Sequence, residues 1–326
     1  MTDPVVMAEV WRGPFLESAH RGHAVVCDEA GQIVEAWGDP DLVVLPRSSA
    51  KMIQALPLIE TGAADAAKLG SEQLALACAS HVGAVIHTDR VQKWLDDMQF
   101  TDAHLRCGAH MPKDKTARVA LIKSDSEPCQ YHNNCSGKHA GFLTLGRHLE
   151  AGPEYLEIDH PVQIMVKDAF ERITGMDAPG YGIDGCSAPN FATTMHGMAR
   201  AMAHFAAAPA SSPEHRLVTA MVAHPELVAG ERSACTRLMR AMDGRAAIKT
   251  GAEGYYVAII PGRKLGVALK IVDGATRASE CAIAAILVRL GILDSRHPDA
   301  MAYTNGSIRN WREIETGHLR AAPALI

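Results

Sequence analysis

The sequence predicts an α+β protein, in which an antiparallel sheet built from N-terminal and C-terminal hairpins is flanked by helices. Two stretches carry this prediction. HAVVCDEAGQIVEAWG, residues 23–38, has two apolar runs around a polar turn, and YYVAIIPGRKLGVALKIVDG, residues 255–274, has two such runs around Pro261-Gly262. Between these hairpins, apolar residues recur mostly at helical spacing. Strands at both ends with helices between them are typical of this architecture and not of alternating strands and helices.

The first predicted helices follow the N-terminal hairpin. AKMIQALPLIETG, residues 50–62, begins directly after two serines, and serine side chains commonly cap helix N-termini. Pro57 is expected to kink or end this helix, because proline lacks the amide hydrogen that a helix interior requires. SEQLALACASH, residues 71–81, also has helical spacing, with Ser71 as its expected cap.

Three later stretches also predict helices. HPVQIMVKDAFERITG, residues 160–175, has a proline in its first turn and ends on glycine, which are start and stop signals. NFATTMHGMARAMAHFAAA, residues 190–208, and ATRASECAIAAILVRLG, residues 275–291, are apolar on most faces, so we expect buried helices. AAAPASSPEH, residues 206–215, is the best candidate for a mobile connection.

Composition narrows the class of protein. We expect a single domain over residues 1–326, with a helical subdomain around residues 50–210 as an option. The net charge of −5 gives no electrostatic reason to expect nucleic acid or an anionic membrane as a partner. No apolar run approaches the ~18 residues of a membrane helix, and the N-terminus lacks the pattern of a signal peptide, so we expect a cytoplasmic protein. Eight widely spread cysteines argue against a disulfide framework.

The stretch PRSSAK places a serine and a lysine three residues apart. Residues i and i+3 share a face of a helix, so Lys51 could take the proton of the Ser48 hydroxyl. Ser48 at the start of a helix would also feel the positive end of the helix dipole, which favours a developing alkoxide. Because Ser-x-x-Lys is common by chance, the alternative is a pair of ordinary surface residues.

A second motif, Lys249-Thr250-Gly251, comes directly before the C-terminal hairpin. Ser-x-x-Lys followed much later by Lys-Thr-Gly is the motif pair of the serine β-lactamases and penicillin-binding proteins. Their middle motif, Ser-Asp-Asn, is missing here. Ser80 in ACASH is the best substitute, and it would pair with Lys249. The alternatives are a turn before a strand and an ordinary serine at a helix end.

Two cysteines lie in stretches that are rich in glycine and asparagine. Cys135 lies in HNNCSGKH and Cys186 in GIDGCSAPN, 51 positions later. Thiolates are soft ligands, so the two could share a zinc ion. The usual second cysteine of a Cys-x-x-Cys pair is replaced by Lys138, which must lose its proton to bind the metal. Two unrelated thiols are the alternative.

Taken together, PRSSAK, ACASH, NNCSGKHAG, YGIDGCSAPN and KTGAEG resemble the rhizobial-type L-asparaginases, also called class 3 or the asparaginase II family. The resemblance extends from about residue 8 to about residue 320. It implies a serine-β-lactamase-like fold, hydrolysis of L-asparagine and a homodimer. It also implies two catalytic pairs. The first is Ser48 with Lys51, and the second is Ser80 with Lys249.

The resemblance also implies a zinc ion held by Cys135, Lys138 and Cys186, with water as the fourth ligand. In that family the metal helps to hold the substrate and does not supply the nucleophile.

The residues beside these motifs suit free asparagine, which carries a carboxylate, an ammonium group and an amide. Arg47 could pair with the carboxylate and Asp184 with the ammonium group. His139 and Thr250 could complete a polar pocket, with Gly251 in the same motif as Thr250. A pocket that holds both ends of asparagine should reject glutamine, which is one methylene longer.

Two other functions fit parts of the pattern. One is another amide or lactam hydrolase on the same fold. The other is a non-catalytic protein that binds zinc or an amino acid through Cys135, Lys138 and Cys186.

Overall fold

A computed structural model describes residues 2–326, and the chain forms two compact units. The first unit comprises the residues up to Ser49, Thr193–Ala207 and Arg237–Ile326. The second comprises Ala50–Ala192 and Ala208–Thr236.

The strands are β1 Val5–Arg12, β2 Phe15–Cys27, β3 Ile33–Trp37, β4 Val43–Val44, β5 Tyr181–Ile183, β6 Pro189–Phe191, β7 Thr193–Thr194, β8 Ala247–Thr250, β9 Tyr255–Ile260, β10 Leu265–Ile271, β11 Asn305–Arg309 and β12 Glu315–Ala321. The α-helices are α1 Lys51–Gln54, α2 Leu56–Glu60, α3 Ala63–Ala66, α4 Ser71–Ala77, α5 Val85–Asp97, α6 Lys115–Lys123, α7 Ser136–His148, α8 Pro161–Thr174, α9 Met195–Ala207, α10 Pro213–Ala223, α11 Pro225–Ala229, α12 Ala234–Ala241, α13 Thr276–Arg289 and α14 Pro298–Thr304. Within residues 2–326, no helix has both the length and the apolar character of a membrane span.

The first unit contains an antiparallel sheet with the strand order β11-β12-β1-β2-β10-β9-β8, and β3 also pairs with β2. The pairing of β2 with β10, for example Val26 opposite Val267, joins the N-terminal and C-terminal parts of the chain. Both predicted hairpins, β2–β3 and β9–β10, are present, and the predicted α+β class is confirmed.

Two further hairpins, β1–β2 and β11–β12, escaped prediction. Strands β11 and β12 and the first half of β2 are rich in polar and charged residues, so they lack the apolar runs that mark a strand in sequence. Strand β1, VVMAEVWR, does have such a run and could have been recognised.

Helices α9 and α13 cover this sheet. The prediction for residues 190–208 is correct for most of the helix but too early at its start, because α9 begins at Met195 and residues 189–191 form β6. Helix α13 lies within the predicted range 275–291. Close contact between α9 and the sheet depends on Gly266, since a Cβ there would lie 2.0 Å from the Ala203 nitrogen.

The second unit is mainly helical, and α7 is its most buried long element, with every residue from Ser136 to Gly146 buried. Helix α8 is confirmed over most of the predicted range 160–175, and Gly175 ends it in the left-handed conformation at φ 70°. Pro57 interrupts the first helix as predicted, because α1 ends at Gln54 and α2 begins at Leu56.

The predicted serine caps are wrong. Ala50 precedes α1 and Gly70 precedes α4, and neither of these two residues caps its helix with a side chain. Ser71 is instead the first residue of α4, and its hydroxyl lies 2.7 Å from Nε2 of His224. Because the Ser71 hydroxyl makes this tertiary hydrogen bond, it is not available to cap the helix.

Helix α7 approaches α4 at Gly137, and this contact gives a test of the packing that positions the candidate site. A Cβ at Gly137 would lie 2.3 Å from the carbonyl oxygen of Leu76, which belongs to the main chain and cannot rotate away. We expect Gly137→Ala to lower the free energy of unfolding in urea by about 1–3 kcal/mol, the usual cost of overpacking.

Gly146→Ala is the matched control on the same helix. A Cβ there would lie 3.6 Å from Cγ2 of Val162, an ordinary contact, so alanine should be neutral or stabilising by up to ~1 kcal/mol. Equal effects of the two substitutions would contradict the proposed close approach.

Candidate active site

The turn that carries Ser48 belongs to the first unit up to Ser49. Arg47–Ala50 forms one 3₁₀ turn that continues directly into α1. Arg47 has a φ of 52°, which lies in the left-handed region that residues other than glycine seldom adopt. Such strained residues cluster at functional sites.

The two adjacent serines have different environments. The buried Ser49 hydroxyl donates a hydrogen bond to the main-chain oxygen of Lys249 at 3.1 Å. Ser48 is half-buried, and among the described residues of its own unit its hydroxyl has no hydrogen-bond partner. Ser49 therefore has a structural bond, and Ser48 is the serine available for chemistry.

The Lys-Thr-Gly motif lies at the end of β8, in the same unit as Ser48. A Cβ on Gly251 would lie 2.6 Å from the carbonyl oxygen of Pro46 and 2.9 Å from Oγ of Ser49. Lys249 is fully buried, and its Nζ donates to the carbonyl oxygen of Thr250 at 2.7 Å. The structure thus brings this motif against the turn that carries Ser48.

Lys51 is the centre of a polar cluster in the second unit. Its fully buried Nζ contacts the main-chain oxygen of Ala79, Oγ of Ser80 at 3.0 Å and Sγ of Cys135 at 3.1 Å. The Ser80 amide donates to the carbonyl oxygen of Val228 at 2.8 Å, which fixes the segment after α4. An ammonium group donates to all three contacts, whereas a neutral amine donates to two and can accept the Ser80 proton.

The contact between Lys51 and Ser80 was not indicated by sequence spacing, which paired Lys51 with Ser48 and Ser80 with Lys249. Ser80 and Lys249 fall in different units, so their pairing stays a prediction.

The two candidate metal-binding cysteines come together in the second unit. Cys135 directly precedes α7, and Cys186 lies in the turn between β5 and β6. Their side chains are within hydrogen-bonding reach of each other. Nζ of Lys138 lies 3.1 Å from Sγ of Cys186, and all three side chains are buried.

The charges of this cluster depend on one another. The hydrogen bond from Cys135 strongly lowers the pKa of Cys186, against the effect of burial, and the Lys138 ammonium group lowers it further. The same bond, together with burial, raises the pKa of Cys135. Burial alone would lower the pKa of Lys138, but attraction to Cys186 and Cys135 outweighs it and raises that pKa. The contacts of Cys186 with Cys135 and Lys138 therefore favour the thiolate form of Cys186, and the contacts of Lys138 favour its ammonium form.

His139 follows Lys138 on α7 and is completely buried. Burial lowers the pKa of His139 to about 4, although its interaction with Cys186 raises it. Its Nδ1 lies 2.9 Å from the hydroxyl of Tyr155, and its Nε2 has no hydrogen-bond partner within residues 2–326.

The remaining predicted substrate residues are divided between the units. Arg47 and Thr250 are half-buried and lie in the first unit with Gly251. Asp184 lies in the second unit, where its carboxylate accepts the Gly185 amide at 2.7 Å and helps to raise the pKa of Lys138.

Two buried polar residues of the second unit were missed from the sequence. Tyr155 touches His139 but lies 16 positions away, outside every quoted motif, so no spacing signal points to it. Asn190 is part of YGIDGCSAPN, and its buried Nδ2 has no hydrogen-bond partner within residues 2–326. Because Asn190 is a polar residue within this motif, the sequence did contain a signal that could have pointed to it.

These sites and the sheet can now be compared with known proteins. Residues 8–321 match the family model described as L-asparaginase II. The protein is therefore an amidohydrolase of the asparaginase type. The chain belongs to the L-asparaginase II family. The resemblance seen in the sequence is confirmed.

No curated protein sequence matches the chain. Among solved structures, a β-lactamase from Mycobacterium bovis is 13% identical, with a TM-score of 0.44 over 82% of this chain and 94% of its own. A putative β-lactamase from Bacteroides dorei is 12% identical, with a TM-score of 0.44, and the match covers 77% of this chain and 84% of the other. Mglu in its native form is 13% identical, with a TM-score of 0.47, and the match covers 85% of this chain and 66% of the other.

Proposed function

We propose that the protein is an L-asparagine amidohydrolase that releases ammonia and L-aspartate through a serine-lysine mechanism. The observation that carries the proposal is the fully buried Lys51, which is bonded to the Ser80 hydroxyl and follows Ser48 by three residues. Membership of the L-asparaginase II family supports the choice of substrate.

The proposed reaction has two steps. Ser48 Oγ attacks the side-chain carboxamide carbon of asparagine while Lys51, as a neutral amine, takes the hydroxyl proton. The carbon–nitrogen bond breaks, and the leaving nitrogen receives a proton through Ser80, with Lys249 as the partner of Ser80. Water then attacks the β-aspartyl ester, which gives aspartate and restores the Ser48 hydroxyl.

Substrate selection follows from charge. We propose that Arg47 pairs with the α-carboxylate and Asp184 with the α-ammonium group, while His139, Thr250 and Gly251 line the pocket. Holding both ends of the substrate would discriminate against glutamine by more than the ~1–3 kcal/mol that a methylene is worth in an apolar pocket.

One assay compares the proposal with its rivals. Purified protein is incubated separately with asparagine, glutamine and the lactam nitrocefin, and ammonia and colour are measured. Ammonia from asparagine supports the proposal, and colour from nitrocefin alone would indicate a lactam hydrolase. Asparagine binding without ammonia release would indicate the non-catalytic alternative.

The donors around Cys186 fit a zinc ion. Two neighbouring thiols and Nζ of Lys138, which lies 3.1 Å from Sγ of Cys186, form a compact, mainly soft set once Lys138 has given up its proton to make room for the metal, and burial excludes competing water. Within residues 2–326, no three His, Cys, Asp or Glu side chains form a metal site, so the set depends on Lys138. We propose that Cys135, Lys138 and Cys186 hold Zn²⁺, which when bound supplies a Lewis-acidic anchor for a polar group of the substrate.

Zinc removal should therefore affect substrate binding more than chemistry. We expect Cys186→Ala, or treatment with a chelator, to raise KM for asparagine several-fold more than it lowers kcat, because metal binding is lost while Ser48 and the hydrogen-bond contacts of Lys51 with Ser80 and Cys135 are kept. Steady-state kinetics and zinc content measure both effects.

The matched control is Cys281→Ala, which removes a buried thiol of α13 from the first unit. It should keep the zinc content and KM of the unmodified protein. A chelator that abolishes kcat and leaves KM unchanged would show that the metal activates the nucleophile, and the serine mechanism would be wrong.

We further propose that the protein acts in the cytoplasm and, as the sequence resemblance implies, that it is a homodimer. Light scattering of the purified protein measures the oligomeric state.

A further inference from the structure

A chain of hydrogen bonds in the second unit connects the main chain at Arg106 to the candidate metal site. The Arg106 amide donates to the Tyr155 hydroxyl at 2.8 Å, and that hydroxyl lies 2.9 Å from Nδ1 of His139. Tyr155 is 1% exposed and His139 is completely buried, so water does not enter this part of the chain of bonds.

The number of hydrogens on each group determines the direction of each hydrogen bond in this series. The Arg106 amide can only donate, so the Tyr155 oxygen accepts there. The single hydroxyl hydrogen of Tyr155 then has one partner left among the described residues, which is Nδ1 of His139. Nδ1 therefore accepts, and the one hydrogen of the imidazole ring is on Nε2. The opposite arrangement would leave a buried hydroxyl hydrogen without an acceptor, which native structures rarely tolerate.

Tyr155 is held firmly enough to impose this arrangement. Its carbonyl oxygen accepts a hydrogen bond from Nε2 of the buried Gln163 at 2.8 Å. Its ring packs edge-on against His139, with centroids 5.6 Å apart and an interplanar angle of 72°. Beside it, Glu154 pairs with the Arg106 side chain at 3.0 Å, which ties together the two segments that meet at the hydroxyl.

The hydrogen on Nε2 has a consequence for Cys186. Nε2 is buried and has no hydrogen-bond partner within residues 2–326, and the Cys186 side chain is close enough to the His139 ring to raise its pKa. A ring N–H group beside the Cys186 sulfur can donate toward it but cannot accept a hydrogen from it. A ring nitrogen that carries a hydrogen has no lone pair for a metal.

We propose that Tyr155 is a positioning residue that fixes His139 as the Nε2–H tautomer, so that the imidazole donates toward Cys186 and is excluded from the ligands of any bound metal. The role of the tautomer in metal binding rests on the proposed function, but the tautomer itself does not. Partners of this kind, which orient and tune ligands, typically change metal affinity 10–100-fold when they are removed.

The tautomer can be measured without metal or substrate. Long-range ¹H–¹⁵N spectra of metal-free protein labelled with ¹⁵N-histidine distinguish a protonated from an unprotonated ring nitrogen, and His139→Gln assigns the signals. We expect Nε2–H in the unmodified protein and loss of this single state in Tyr155→Phe. The control Tyr181→Phe removes the hydroxyl of a half-exposed tyrosine of the same unit and should change nothing. Nδ1–H in the unmodified protein, or no change in Tyr155→Phe, would overturn the proposal.

A second measurement uses Zn²⁺ as the probe, in competition with a chromophoric chelator. Tyr155→Phe should bind zinc 10–100-fold more weakly than the unmodified protein, and Tyr181→Phe should bind it equally well. Unchanged zinc affinity together with an altered tautomer would overturn the link to Cys186. If the protein releases no ammonia from asparagine, the proposed function fails, while the tautomer is still decided by the spectra.

Discussion

We expect the replacement of Ser48 with alanine to lower ammonia release from asparagine by about 10³-fold or more and to leave the fold intact. The proposed nucleophile is lost, and groups that act as a catalytic unit fail together when one is removed. The Ser48 hydroxyl has no hydrogen bond within its own described unit, so its removal leaves no partner there unsatisfied. Ammonia release under saturating asparagine and thermal unfolding measure the two effects.

The adjacent Ser49 provides the control. Its hydroxyl donates to the main-chain oxygen of Lys249, so Ser49→Ala should lower stability by about 1 kcal/mol and retain most of the activity. Near-normal activity of Ser48→Ala would remove Ser48 as the nucleophile. Loss of activity in Ser49→Ala alone would transfer that role to its neighbour.

Replacing Lys51 with methionine should abolish activity to a similar extent. Methionine has nearly the same length but can neither accept a proton nor donate a hydrogen bond. The substitution also leaves the buried carbonyl oxygen of Ala79 without its Lys51 partner, so we expect a stability loss of about 1–3 kcal/mol. Activity must therefore be measured at a temperature where urea unfolding shows the variant to be folded.

Lys167→Met is the matched control. Lys167 is a half-exposed residue of α8, and its Nζ forms an ion pair with Glu171 at 3.7 Å. It should change neither activity nor stability by a measurable amount. Ser80→Ala, which removes one contact of Lys51, should also be severely impaired. A folded Lys51→Met variant that still releases ammonia would exclude this lysine as the base.

Much of the fold could be predicted because its signals are local. The hairpins β2–β3 and β9–β10 have apolar runs on both sides of a turn, and α8 carries proline and glycine at its ends. These patterns act over a few residues, so they can be recognised without knowledge of distant contacts. The hairpin β11–β12 and the caps of α1 and α4 could not be predicted, because packing outweighed weak local preferences there.

The candidate site divides in the same way. Motif spacing and resemblance, on sequence alone, identified the family, the Ser48 turn, the Lys-Thr-Gly motif and the two cysteines. Tertiary structure alone decided that Lys51 contacts both Ser80 and Cys135, which lie 29 and 84 positions away. It also decided that Ser49 and not Ser48 is bonded to Lys249, and that Tyr155 reaches His139. The physical reason is that a motif specifies only which side chains are available. The packing of helices and strands determines which of those side chains are buried next to each other, and buried polar groups must form hydrogen bonds with their neighbours.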